Sequence, residues 1–215
     1  MSERSELCES PEEERLTAIS LGFGALLSVV GLVVMLDLAS SLSSWHITSV
    51  TVISSSLILL YLASAVYHLV TTPRLKRLFQ ILDHALIFVL IAGSYTPWLL
   101  VNLRGPWGWS LFFVVRGIAL ARMVLKACLL PRFDKLGTAL YVIMGWLVCI
   151  AIKPLIENVG LVGISWLVAG GLCYTGGVAF YLMKRRFAHF TWHLFVLAGS
   201  FCHVVAVITG VLQDQ

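Results

Sequence analysis

Residues 189–212 read HFTWHLFVLAGSFCHVVAVITGVL and include no aspartate, glutamate, lysine or arginine. A helix needs roughly 20 mostly apolar residues to cross the hydrocarbon core of a bilayer, so this run is long enough to span it. The run nevertheless carries His189, His193 and His203. Ionisable side chains are expensive in or beside hydrocarbon, and for that reason they mark functional sites. The run therefore predicts a transmembrane helix that contributes to a site.

The whole chain has the composition of a membrane protein. Of its 215 residues, 59% are hydrophobic and 12% are charged, and the mean hydropathy is +0.93. Soluble domains hold about a quarter charged residues. Apolar runs of spanning length occur at residues 16–36, 47–67, 84–103, 107–130, 136–156, 159–183 and 192–212. The sequence thus predicts an all-α, seven-transmembrane helical bundle over residues 15–215, and any chemistry must take place within the bundle.

Basic residues are concentrated in alternate connections between the apolar runs. The connections after the second, fourth and sixth runs hold or adjoin Arg74, Lys76, Arg77, Arg122, Lys126, Arg132, Lys135, Lys184, Arg185 and Arg186. The connections on the other side carry only Arg104 and Lys153. Because positive residues stay on the cytoplasmic side, we expect a multi-pass cell-membrane protein with its N-terminus inside and its C-terminus outside. The same loops account for the net charge of +4, so no nucleic-acid partner is expected.

The beginning of the chain differs from the rest. Residues 1–14 are polar and hold six glutamates, and we expect a disordered acidic tail there. This segment lacks the basic start of a cleavable secretory signal, so the first apolar run is expected to be retained.

Three histidines are predicted to meet at the cytoplasmic side. Residues four apart on a helix share one face, so His189 and His193 can offer two imidazoles to one metal ion. His68 closes the second run at the same membrane depth. Three protein nitrogens plus water form the open arrangement of a catalytic zinc site, whereas a structural site is closed by four ligands. The sequence therefore predicts Zn²⁺ bound by His68, His189 and His193.

Two further residues are candidates for the chemistry at this site. Asp83 opens the third run at the same depth and is predicted to hold the water at the metal or to take its proton. Ser64 lies one turn before His68 on the same face and is predicted to support a ligand or to bind substrate.

The remaining histidines have simpler interpretations. A lone histidine in a membrane bundle is more often a buried hydrogen-bonding residue than a ligand. His84 points roughly 100° away from Asp83 around the helix, and it is interpreted as a supporting or loop-facing residue. His203 lies about 15 Å along the helix from His193, too far to share its ion, and is interpreted as an internal polar contact that lines a cavity. His46 is expected at the outer interface.

Several motifs together resemble the hemolysin III branch of the progestin and adipoQ receptor family. They are Ser64-x-x-x-His68, Asp83, the stretch AGSYTPW at residues 92–98, and His189-x-x-x-His193 with His203 ten residues on. The similarity runs from about the first span to the last. It implies seven spans, an inside N-terminus, and a zinc ion held near the cytoplasmic face by His68, His189 and His193, with Asp83 near the water at the zinc. The adiponectin receptors and alkaline ceramidases are similar in site design, which implies hydrolysis of a ceramide-like lipid amide.

Two positions depart from the pattern of that branch. Many bacterial relatives have a histidine near the start of the first span, where this chain reads Ser20-Leu21-Gly22. The fourth run contains Arg116, where relatives tend to be apolar. An arginine near mid-bilayer should face the bundle and seek a partner, and the sequence identifies none.

Three functions are consistent with the sequence. The first is a zinc-dependent membrane hydrolase that acts on a membrane lipid, a ceramide or another fatty-acyl lipid. The second is a receptor-like or signalling protein in which zinc is structural and holds the spans together. The third is membrane lysis through a pore, against which the runs show few polar stripes wide enough to line an aqueous channel. The sequence leaves the substrate and the oligomeric state open.

Overall fold

The computed structural model describes residues 10–128 and 134–213, and the described residues form helices and short connections without strands. Residues 1–9 of the expected acidic tail and residues 129–130 of the fourth predicted span lie outside the described ranges. The helices are α1 Pro11–Ala39, α2 Ser44–Leu69, α3 Pro73–Pro97, α4 Pro106–Cys128, α5 Asp134–Trp146, α6 Ile152–Leu182 and α7 Ala188–Gly210. A π-helical turn follows α3 at Trp98–Asn102, and a 3₁₀ turn follows α5 at Leu147–Ala151.

Helix α1 begins at Pro11, four residues before the expected boundary between tail and bundle. Ser10 caps the helix because its side-chain oxygen accepts a hydrogen bond from the backbone N–H of Glu13 at 3.2 Å. Proline at the first helical position has no N–H to leave unpaired. The acidic residues of the first turn also lie where the helix dipole favours negative charge. Local capping chemistry therefore draws the glutamates next to the first apolar run into the helix.

Six helical segments of the described chain are long and apolar enough to cross a membrane. They are Pro11–Ala39, Ser44–Leu69, Pro73–Asn102, Pro106–Leu125, Gly137–Leu182 and Ala188–Gly210. This confirms an all-helical, multi-pass membrane protein. The predicted spans at residues 136–156 and 159–183 fall together in the fifth segment, which is 46 residues long.

Gly160 interrupts this long segment. Its backbone has φ 77° and ψ 161°, a conformation that side-chain-bearing residues rarely adopt. Trp146 Nε1 donates a hydrogen bond to Thr175 Oγ1 at 3.0 Å, although the two residues are 29 positions apart. In one continuous helix they would lie about 44 Å apart. The chain therefore reverses direction between them.

Polar contacts identify which helix ends lie together. Glu14, at the start of α1, contacts His68, at the end of α2, and we call this end of the bundle the histidine end. At the opposite end, the side-chain amide of Asn102 donates to the backbone carbonyls of Asn158, at 3.3 Å, and Gly210, at 2.9 Å. Consecutive long helices thus run in opposite directions, and α1 and α7 both start at the histidine end.

The bundle is held by close helix packing and carries an apolar outer surface. Helix α6 packs most extensively on α7, and α2 on α1 and α3. A Cβ atom at Gly163 would lie only 2.9 Å from the Cα of Gly210, so small residues let α6 and α7 approach closely. Large apolar side chains face outward, among them Ile19, Phe23, Leu26, Phe113, Leu120, Leu161 and Phe201. Such a surface suits hydrocarbon rather than water.

Candidate metal centre and cavity

Two helices bring the three predicted ligands together. His68 lies on the last turn of α2, and His189 and His193 lie on the first two turns of α7. The nitrogens that these side chains can offer to a metal all lie within 4.8 Å of one another. Imidazole nitrogens that share a tetrahedral zinc ion lie about 3.3 Å apart. Small side-chain adjustments would therefore let the three residues hold one ion.

The hydrogen bonding of the histidine cluster suits a metal ion. His68 is 5% exposed and His193 is 2% exposed, while His189 is half-buried. The Nε2 atoms of His189 and His193 lie 3.0 Å apart. Nε2 of His68 is buried and has no hydrogen-bonding partner among the described residues. Because a buried polar atom without a partner is costly, and an imidazole lone pair is a good zinc ligand, a metal ion fits this position.

Glu14 contacts His68 from α1, a contact that the sequence did not predict. Its Oε2 lies 3.2 Å from His68 Nδ1, and its Oε1 accepts a hydrogen bond from Lys76 Nζ at 2.8 Å. Metal-binding histidines commonly donate their second N–H to a carboxylate, which fixes the ring orientation and the tautomer. Because Glu14 contacts Nδ1, the other ring nitrogen of His68, Nε2, points away from Glu14. The available signal was an acidic residue at the same end of the first span as His68.

We expect Glu14→Gln to weaken zinc binding about 10- to 100-fold, the usual cost of losing such a supporting partner. The amide keeps the size of the side chain but removes the charge that orients the His68 imidazole. The measurement is competition for zinc against chelators of graded affinity, with purified protein in detergent.

Glu12→Gln provides the matched control for this measurement. Glu12 pairs with Arg186 at 3.0 Å, and both side chains are largely exposed. The control variant should bind zinc as tightly as the unmodified protein. Equal affinity in the Glu14 and Glu12 variants would remove Glu14 from the site.

Asp83 and Ser64 share a cavity with one member of the histidine cluster. Asp83 is 4% exposed and Ser64 is 1% exposed, and both line the same cavity as His193. Ser64 Oγ has no hydrogen-bonding partner in the described part of the chain, so its proton is available to a group in the cavity. The structure therefore brings His68, His189 and His193 together, and it places His193, Asp83 and Ser64 on the wall of one cavity.

The cavity leads from the histidine end into the centre of the bundle and has a volume of about 130 Å³. Its walls are mainly apolar and aromatic and include Leu21, Leu60, Ile87, Leu90, Ile91, Val142, Leu167, Val178 and Val196. His203 lines the cavity farther along α7, as predicted, but its buried Nδ1 has no hydrogen-bonding partner among the described residues, so the predicted polar contact is not seen there. The combination of one polar end and a long apolar wall suits an amphiphilic ligand.

The two other histidines do not belong to the metal-binding group. The backbone carbonyl of His84 accepts a hydrogen bond from the Tyr141 hydroxyl at 3.1 Å, which ties α3 to α5. His46 Nδ1 lies 2.9 Å from Ser43 Oγ, at the start of α2 and away from the histidine end. Neither is part of the three-histidine group found among the described residues.

Arg116 finds the partners that the sequence did not identify. Its Nη2 donates to Thr96 Oγ1 at 3.1 Å, and its guanidinium lies 3.7 Å from the centre of the Phe112 ring. A hydroxyl and an aromatic face therefore stabilise this cation. Residue type alone does not single out such partners, because threonine and phenylalanine are common in apolar helices.

Comparisons with known proteins cover nearly the whole chain. A family model described as Haemolysin-III related matches residues 10–204. Hemolysin-3 of Bacillus cereus is 43% identical over 94% of this chain and 93% of its own length. The Hemolysin-3 homolog of Bacillus subtilis (strain 168) is also 43% identical, over 88% of this chain and 90% of its own. The monocyte to macrophage differentiation factor of Homo sapiens is 25% identical over 76% and 70% of the two chains.

Proposed function

The chain belongs to the Haemolysin-III related family, and we propose that it is an integral membrane zinc protein that hydrolyses amide bonds in ceramide-like lipids. One observation carries this proposal: His193, a member of the three-histidine cluster, lines an apolar cavity together with Asp83 and Ser64. Three imidazoles leave a coordination position open, as in catalytic zinc sites. When bound in such a site, zinc activates water at neutral pH and polarises a carbonyl group.

The residues of the chain would divide the remaining work among them. His68, His189 and His193 hold the ion, and Glu14 orients the first of them through its 3.2 Å contact. The Asp83 carboxylate accepts the proton that the attacking water loses and passes it to the leaving nitrogen. The Ser64 hydroxyl donates to a polar group of the substrate. Burial of both residues keeps bulk water away from these proton transfers.

The apolar wall of the cavity is proposed to bind the acyl chain of the substrate. Burying acyl methylene groups contributes roughly 0.8 kcal/mol each, which favours a long-chain lipid over a short soluble amide. The amide carbonyl would then lie at the histidine end, with the chain directed along α7 toward His203. The test is whether the zinc-loaded protein releases fatty acid from a long-chain ceramide, and whether that release depends on Asp83.

A structural zinc in a receptor-like protein is the second candidate. The observation that favours it is that the ligands come from α2 and α7, so that one ion would clamp two helices. Membrane lysis receives less support, because the names of the bacterial relatives suggest it but the cavity wall is mainly apolar.

We also propose seven spans, with the N-terminus in the cytoplasm and the C-terminus outside. The reversal between Trp146 and Thr175 supports two crossings within Gly137–Leu182. The contact of Asn158 with Asn102 puts the turn at the end opposite the histidines. The basic loops support the orientation.

Single cysteines in a variant without native cysteines would test this topology in intact cells. A cysteine in place of Thr71, between α2 and α3, should resist a membrane-impermeant thiol reagent. A cysteine in place of Gln213, after α7, should react, because the two ends face opposite sides. Reaction at both positions without permeabilisation would contradict the proposed orientation.

A further inference from the structure

A second polar cluster lies along the cavity, away from the metal centre. The Tyr61 hydroxyl donates a hydrogen bond to Ser200 Oγ, which also lies 2.8 Å from the Tyr174 hydroxyl. Tyr61 and Tyr174 line the cavity, and so does His203, whose ring centre lies 5.3 Å from that of Tyr174. We call Tyr61, Tyr174, Ser200 and His203 the deep polar cluster. It joins α2, α6 and α7 in the otherwise apolar part of the cavity.

The hydroxyl groups of the deep polar cluster hold one proton more than their short hydrogen bonds use. Tyr61, Tyr174 and Ser200 each carry one donor, and the two bonds that join them use two protons. The third proton has only a long contact, because the Val196 carbonyl lies 3.5 Å from the Tyr61 hydroxyl, beyond the usual range of an O–H···O bond. One hydroxyl proton of the cluster is therefore weakly bonded in a buried position, where a closer acceptor would be favourable.

His203 adds a second unused polar group at the same place. Its Nδ1 is buried and has no hydrogen-bonding partner among the residues described. A Cβ atom at position 170 would lie 2.9 Å from this nitrogen, so Gly170 makes room for the imidazole ring. The ring is thus accommodated beside the cavity by a residue without a side chain, although its Nδ1 makes no polar contact within the described ranges.

The deep polar cluster lies well inside the chain-binding part of the cavity. On α7, Ser200 is about 10 Å and His203 about 15 Å beyond His193. The wall between the two polar positions includes Ile87, one turn beyond Asp83, and Val196, one turn beyond His193. A lipid with its carbonyl at the metal centre would therefore reach the cluster near the middle of a long acyl chain.

We propose that the deep polar cluster is a subsite for an oxygen atom in the middle of the acyl chain of the ligand, as in a hydroxylated or oxo-substituted fatty-acyl lipid. The weakly bonded hydroxyl proton donates to that oxygen, and His203 provides a second polar contact. This inference rests on the proposed function, because it assumes that the polar head of the lipid lies at the metal centre. It makes the enzyme selective for oxygenated chains over plain ones.

The test compares the binding of stearic acid with that of a hydroxystearic acid whose hydroxyl lies near the middle of the chain. The full-length zinc-loaded protein is titrated with each in detergent, and the readout is the ratio of the two affinities. One buried hydrogen bond contributes about a tenfold preference. We expect this ratio to fall about tenfold in Tyr174→Phe and in His203→Phe.

Ser94→Ala serves as the matched control for these variants. Ser94 lines the same cavity, but its hydroxyl already donates to the Ile91 carbonyl at 2.9 Å. This variant should keep the ratio of the unmodified protein, and the zinc content of every variant reports that the bundle is folded.

Failure of the subsite can be distinguished from failure of the proposed activity. An unchanged ratio in both cluster variants would overturn the subsite, even if ceramide is hydrolysed. A ratio that falls only in the cluster variants supports it, even if no amide is turned over, because binding alone is measured. If neither fatty acid binds, the cavity is not a site for acyl chains, and the subsite is overturned with it.

Discussion

Replacing His189 and His193 together by alanine is expected to reduce the zinc content from about one ion per chain to nearly none. The double variant leaves only His68 in the cluster. One imidazole binds zinc too weakly for the ion to stay bound during purification in detergent. Catalytic zinc sites use three protein ligands, so a variant that lacks two of them should lose nearly all of its zinc. Metal analysis of the purified protein measures the result directly.

His46→Ala is the control for the double histidine variant. His46 contacts Ser43 at the end of the bundle opposite the cluster, and its removal should leave the zinc content unchanged. The helix content of both variants, measured by circular dichroism, shows whether the fold is kept. Full retention of zinc in the folded double variant would show that the metal is not bound by α7.

Asp83→Asn is expected to keep most of the zinc and to slow ceramide hydrolysis about 10²–10⁴-fold, the usual cost of losing a general base. The three imidazoles remain in place, so the ion is still held. The amide has the size of the carboxylate but cannot accept a proton, so the attacking water is no longer activated. The measurements are fatty-acid release from a long-chain ceramide and zinc content on the same sample.

Asp37→Asn is the matched control, because Asp37 is exposed near the other end of α1. It should leave both the rate and the zinc content unchanged. An Asp83→Asn variant that hydrolyses at the parent rate would remove Asp83 from the mechanism. An unmodified protein that holds zinc but releases no fatty acid from any long-chain amide would favour the structural role, in which the same substitution alters only stability.

The meeting of the three histidines was predictable from sequence because most of its geometry is local. His189 and His193 share a helix face by their spacing alone, and the ends of apolar runs give the depth of His68 and Asp83. Glu14 could not be placed in the same way. Its contact with His68 depends on where α1 begins and on how α1 packs against α2, and neither follows from residue type. A polar segment before an apolar run also has the composition of a disordered tail.

The fold class, an all-helical membrane protein, could be predicted from the sequence. The residues at which individual helices begin and end were harder to predict. Apolar runs identify membrane helices because hydrocarbon leaves the backbone no alternative hydrogen-bonding partner. The turn at Gly160 is less visible, because glycine is common within membrane helices and only its backbone angles distinguish a bend from a packing position. The contact of Arg116 with Thr96 likewise depends on packing between α3 and α4.

The contact between Glu14 and His68 also bears on how the protein is assembled in the cell. Glu14 belongs to the first described helix and His193 to the last, so the two halves of the metal centre are synthesised at opposite ends of this sequence. Without α7, His68 would keep its contact with Glu14 but would lack His189 and His193. Under the proposed zinc assignment, the ligand set would be complete only once the last helix is in place, so that zinc uptake would report the completion of membrane insertion.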